Sequence, residues 1–129
     1  MKQLLLAIAL IAAPVGAFTT FQVYARSTSA ADASLGDLSS FRAIIADVRS
    51  LAAEGNLAGA AKRITDYETA WDERESAMRP LNQTYWGNID EASDAALKAL
   101  RAPSPSLGTV TSTLDALMAV LKNPAQPAS

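Results

Sequence analysis

The chain has neither cysteine nor histidine among its 129 residues. Without cysteine there are no disulfides, thiolate metal sites, CxxC redox pairs or thiol nucleophiles. Without histidine the chain lacks the commonest general base and the commonest transition-metal ligand, and it has no histidine to accept a phosphoryl group. Charge is also scarce: the formal net charge is −2, and no run of Lys or Arg occurs. Nucleic-acid backbones are held by clustered cations, so nucleic acid is a poor partner for this chain. None of the six glycines belongs to a phosphate-binding loop, and neither G-x-S-x-G nor S-x-x-K appears. These absences leave no catalytic residue to name and no cofactor to expect, so the sequence reads as non-enzymatic.

What is present begins with an apolar N-terminus. Lys2 supplies one positive charge, and Leu4 to Ala13 form an apolar run of ten, the length of a signal-peptide core. Pro14 and Gly16 interrupt it. Two small-residue cleavage sites follow, after Ala17 and after Ala25. The second is preferred because Arg26 opens a polar stretch. An uncleaved anchor is the competing reading, since Gln3 to Ala25 carries no charge and about 20 apolar residues span a bilayer. Either way the expected domain lies outside the cytoplasm, periplasmic or secreted if cleavage occurs and membrane-anchored if it does not. The expected organisation is a signal peptide over 1–25, a flexible leader over 26–34, a helical bundle over 35–122 and a disordered tail over 123–129.

Four amphipathic segments fill the bundle. In the first, expected over 35–54 with Ser34 as cap, Leu38, Phe41, Ile45, Val48 and Ala52 recur at three- and four-residue steps. Gly55 is suited to ending that helix and Asn56 to capping the next. The second is expected over 57–78, with Leu57, Ala60, Ala61, Ile64, Tyr67, Trp71 and Met78 inward and Pro80 forcing its stop. The third is expected over 83–101 with Asn82 as cap, Trp86, Ile89, Ser93, Ala96, Leu97 and Leu100 sharing a face. Gly87 is a mild defect there, and Asn88 is the alternative start. The fourth opens at Pro105 behind Ser104, carries Val110, Leu114, Leu117 and Leu121, and ends at Lys122. Short connections between four such helices predict an all-α fold: a small antiparallel four-helix bundle preceded by a signal peptide.

The stretch Ile64–Met78 carries the densest chemistry. Glu68, Asp72 and Glu75 follow one stripe of the second helix, and Asp90, Glu91 and Asp94 lie on the third. An oxygen-only site for Ca²⁺ or Mg²⁺ would draw on Glu68, Asp72, Glu75, Asp90 and Asp94. The plainer reading is a solvated face laced with Lys62, Arg63, Arg74, Arg79 and Lys98, and it is preferred because there is neither an EF-hand loop nor an ExxH pair. Tyr67, Trp71, Tyr85 and Trp86 form the second constellation. They are read either as core volume or as an aromatic surface for a partner, with Tyr85 expected to be the most exposed.

The segment Ile64–Arg101 resembles a group of small exported all-helical proteins of proteobacteria to which no activity is attached. Its most specific parts are E-T-A-W-D (Glu68–Asp72), R-P-L-N (Arg79–Asn82) and W-G-N-I-D (Trp86–Asp90). Similar proteins sometimes carry a histidine-kinase label, which cannot describe a chain without histidine or a nucleotide-binding motif. The resemblance brings no functional residues. The sequence thus points to an exported non-enzymatic protein that binds an unidentified protein partner or itself. The alternatives are a periplasmic small-ligand or divalent-cation binder and a membrane-anchored extracytoplasmic sensor bundle. Contact with a membrane is expected only if the N-terminal segment is retained.

Overall fold

A computed structural model describes residues 35–126 as four α-helices packed against one another. Helix α1 spans Ser39–Ala53 and α2 spans Leu57–Met78. A 3₁₀ turn over Arg79–Leu81 leads to α3, Gln83–Leu100, and α4 spans Leu107–Lys122. The expected signal peptide and leader lie outside the described residues.

Each helix borders two others, so the four form a closed ring in which α1 meets α2 and α4, and α3 meets α2 and α4. Cross-helix contacts fix the directions. Arg42 near the start of α1 donates to the carbonyl of Leu121 near the end of α4, and Arg49 pairs with Asp115 at 2.9 Å. Asp47 pairs with Arg63 across α1 and α2, and Trp71 donates to Asp90 across α2 and α3. Phe41 against Trp71 adds a second level between α1 and α2, and Glu68 with Arg101 a second between α2 and α3; rising numbers meet falling numbers across all three of these seams, which are therefore antiparallel.

Local chemistry explains the ends. Gly55 takes φ +80°, Asn56 N–H reaches the Leu51 carbonyl and Gly55 N–H reaches that of Ala52, which is a Schellman closure. Asn56 then caps α2 by accepting from the N–H of Gly59. A Cβ at Gly59 would lie 2.5 Å from the Asn56 side chain, so glycine leaves room for that cap. Asn82, in an extended conformation, accepts from Tyr85 N–H and starts α3. Gly87 does not delay this start; the helix runs through it from Gln83.

Three boundaries differ from those expected. The first helix begins at Ser39 rather than near residue 35, because Gly36 at φ +87° breaks helical geometry. Leu35 and Leu38 are nonetheless buried, as a non-helical lead-in folded onto the core, and the Asp37 carboxylate accepts from Ser39 N–H. The fourth helix begins at Leu107 with Ser106 as its cap, not Ser104, since Ser106 takes the extended conformation and accepts from Thr109 N–H. Beyond α4 the chain turns over 123–126. Pro124 is buried there, and its carbonyl accepts from the Asn88 side chain, so this part of the expected tail is tied to α3. Residues 127–129 lie outside the described residues.

The core matches the periodic stripes closely. Leu38, Phe41, Ile45, Val48, Ala52, Ile64, Ile89, Ala96, Leu100, Val110, Leu114, Leu117 and Leu121 are all buried. Val120 is buried too, though it lies off the expected stripe. It widens the apolar face of a helix that packs against both α1 and α3.

Candidate functional site

The seam between α2 and α3 gathers most of the aromatic and polar residues singled out by the sequence. Tyr67 and Trp71 lie one turn apart on α2, and Trp86 opens α3 on the facing side. Their rings stack in a column: Tyr67 on Trp71 at 6.2 Å and 10°, and Trp71 on Trp86 at 5.8 Å and 15°. Phe41 of α1 meets the column edge-on, 5.9 Å from Tyr67 and 5.4 Å from Trp71. Offset-stacked and edge-to-face pairs each contribute about 0.5–1.5 kcal/mol beyond simple burial. The helix-spacing rule that put Tyr67 and Trp71 on one face therefore also made them one wall of a filled core, not of an open pocket.

Each polar tip in the column has a distinct environment. Ser93 donates its hydroxyl proton to the Ile89 carbonyl at 2.7 Å. A serine has one proton to give, so the Tyr67 hydroxyl, 2.6 Å from Ser93 Oγ, must be the donor in that pair. Burial, only partly offset by the Ser93 contact, pushes the Tyr67 phenol far above its ordinary range. Trp71 Nε1 donates to Asp90 Oδ1 at 3.1 Å. Trp86 Nε1 is buried with no acceptor among the described residues, and the Arg79 guanidinium lies 5.1 Å from the ring centroid.

Asp90 is a partly buried carboxylate of the seam whose pKa is shifted upward. Desolvation raises its pKa, the Trp71 hydrogen bond lowers it, Asp94 and Asp72 raise it and Arg79 lowers it; the net direction is upward. Glu68 moves the other way, because its hydrogen bond from Arg101, 2.7 Å, favours the carboxylate. That pair bridges α2 and α3 at the end remote from the Pro80 turn.

The carboxylates singled out as cation ligands are thus divided among other partners. Glu68 is held by Arg101, Glu75 faces Arg79 at 3.5 Å and Asp90 accepts from Trp71. Asp72 and Asp94 are exposed near Asp90. Among the described residues no group of three or more acidic side chains converges as a metal would require. One stripe on a helix did not make one site, since neighbouring cations and an indole claimed its members.

The aromatic residues singled out for a partner are also placed differently from that reading. Tyr67 and Trp71 are buried, 0 % and 2 % exposed, so neither can touch a partner of the folded bundle. Trp86 is also buried, and Tyr85, half-buried against the core, is the most exposed of the four, as expected. Burial won because Phe41 of the first helix, separated by more than twenty residues of sequence, completes the column from the other side.

Open space lies elsewhere. One groove of about 460 Å³ runs between α1 and α4, past Ala46, Arg49, Ser50 and Asp115. Another of about 450 Å³ runs between α3 and α4, past Glu91, Ala95, Ser112 and Asp115. Small side chains on both walls create them, and sequence periodicity did not reveal them because alanine counts equally as core or surface. Hydroxyls and carboxylates share both grooves, Ser50 and Thr111 with Asp115 in the first and Ser112 and Thr113 with Glu91 and Asp115 in the second. No described helix is long and apolar enough to cross a membrane. No protein-family model, curated protein or solved structure matches this chain.

Proposed function

We propose that this chain is an exported, non-enzymatic helical module of the cell envelope, acting through protein contacts or as a structural element. The observation that carries the reading is the N-terminal order of Lys2, the apolar run Leu4–Ala13, the breakers Pro14 and Gly16, and small residues at Ala17 and Ala25. The bundle supports it from the other side. Its aromatic rings are spent on one another, and its seam carboxylates face Arg101, Arg79 and Trp71.

Intact mass and fractionation of the native protein test the reading. A chain recovered from the envelope and beginning at Arg26 or Phe18 is expected. A chain that keeps Met1 and stays in the cytoplasm overturns it. Retention of Met1 in the membrane fraction instead selects the anchored form, which the charge-free stretch Gln3–Ala25 favours. Co-purification under mild crosslinking then identifies the protein partner.

A further inference from the structure

The segment that leads into α1 is buried without being bonded in the way the helices are. Leu35 and Leu38 are 1 % and 0 % exposed, as deep as the core face of α1, yet neither lies in a helix. The backbone does little to keep them there. Among the described residues the Leu38 carbonyl accepts from Arg42 N–H at 3.1 Å, and no other backbone–backbone bond joins residues 35–38 to the helices. The Asp37 carboxylate accepts from Ser39 N–H, a contact within the junction itself. The turn after α1 is the contrast, since Glu54, Gly55 and Asn56 all donate to carbonyls of α1.

Gly36 stands between the two leucines at φ +87°, a conformation open to glycine and strained for other residues. Nothing lies within 4 Å of the place a Cβ would take, so a side chain there meets a conformational cost alone. Asp37 is exposed, and the charges of Arg42 and Arg74 act on it through solvent, where such attractions are weak. What holds the segment closed is therefore the burial of two leucine side chains. Against it stands the ordering of four residues, one of them the glycine, which loses the most freedom. The two terms are of similar size, so the closed state is only marginally favoured. Opening costs one backbone bond in the first turn of α1 and none elsewhere in the four helices.

We infer that residues 35–38 form a strap that closes the core at the start of α1 and opens as a unit while the four helices stay folded. Opening uncovers the apolar surface beneath Leu35 and Leu38, so the strap switches that part of the core between a covered and an accessible state. The inference does not depend on the envelope reading.

The absence of cysteine makes the test direct. Leu35→Cys, Leu38→Cys and Val48→Cys each give the full chain a single buried thiol, two in the strap and one on the core face of α1. Maleimide labelling is followed in a urea series below the unfolding transition. Positions 35 and 38 are expected to label at one common rate, at least about tenfold faster than position 48, with weak urea dependence because local opening exposes little surface. The rate at position 48 should climb steeply with urea. Adding Gly36→Ala is expected to raise the rate at position 35 about tenfold. Labelling of all three positions with the same rate and urea slope overturns the strap, because it then opens only with the whole bundle. Fast labelling at 35 with position 38 following position 48 overturns it too, as simple fraying. The unaltered chain gives a second reading by hydrogen exchange: a shallow urea slope for the Arg42 amide beside a steep one for Val48 supports the strap, and equal slopes overturn it.

Discussion

The two sides of the bundle are held together by different physics. The α2–α3 seam is built from large rings with directional partners: a stacked column of Tyr67, Trp71 and Trp86, a tyrosine–serine–carbonyl relay and an indole–carboxylate bond. The α4 side buries Val110, Leu114, Leu117, Met118, Val120 and Leu121, all without polar atoms capable of a strong hydrogen bond. Its polar ties are few: Arg49 with Asp115, and Arg42 on Leu121 near its C-terminus. Both Arg49 and Asp115 are substantially exposed, so solvent screening leaves that pair little weight. Directional contacts fix register and ring orientation, whereas aliphatic contacts reward burial and tolerate sliding. The open grooves flank α4 on both sides, which fits a helix held by volume more than by geometry.

This contrast is broken most directly by truncation on both sides. Trp71→Ala should cost about 3–5 kcal/mol and Leu114→Ala about 2–5 kcal/mol, read from urea unfolding. Only the first should also alter the near-ultraviolet circular dichroism band from the stacked rings. If Leu114→Ala changes that band equally, the two sides are one cooperative packing unit and the distinction fails.

A subtler pair separates volume from hydrogen bonding within the seam itself. Trp71→Phe keeps a ring but leaves half-buried Asp90 without its donor, and about 1–3 kcal/mol should be lost. Trp86→Phe removes a buried N–H that has no acceptor among the described residues, so it should change stability by less than about 1 kcal/mol in either direction. Similar losses from both variants would show that ring size, not the Asp90 bond, governs the seam.

The smallest effect is electrostatic. Burial holds the folded-state pKa of Asp90 above its ordinary carboxylate value, so between those two values the folded protein binds more protons than the unfolded chain. The contribution of this group is fully present below the unfolded pKa and is lost as pH rises through the folded one. Asp90→Asn should therefore be at least as stable as the native chain at neutral pH, since its amide oxygen can still accept from Trp71. Its advantage should shrink as the solution is acidified through the carboxylate range. Glu68, held down by Arg101, opposes this: its contribution is present above its unfolded pKa and is lost as pH falls through the folded one. A thermal-melt series across acid pH for the native chain and Asp90→Asn isolates the Asp90 part; a constant difference between the two would remove it.

Much of the architecture was legible in the chain because helices announce themselves locally. Phe41, Ile45, Val48 and Ala52 recur with the helical period, and all are buried. Asn56 and Asn82 cap the helices they precede, and Gly55 closes the first one. Local signals were weaker at the start of α4, where Ser106 caps in place of the expected Ser104, and at the start of α1, where Gly36 takes a positive φ beside buried leucines. The candidate site was less legible. Spacing put Glu68, Asp72 and Glu75 on one stripe, but only the neighbouring helix could show that Arg101 takes the first of them. Spacing likewise put Tyr67 and Trp71 on one face without revealing Phe41 behind them.

Sequence alone thus determined the all-helical build, the places where helices stop and start, and the chemistries excluded by the lack of cysteine and histidine. These depend on hydrophobic period, caps, breakers and composition, all properties of residues near one another in the chain. Only the tertiary structure decided that the aromatics form a closed column, that the acidic stripe is divided among separate partners and that Leu35 and Leu38 are buried ahead of the first helix. Those outcomes depend on which side chains from distant segments arrive first at the same volume, and a one-dimensional pattern does not contain that competition.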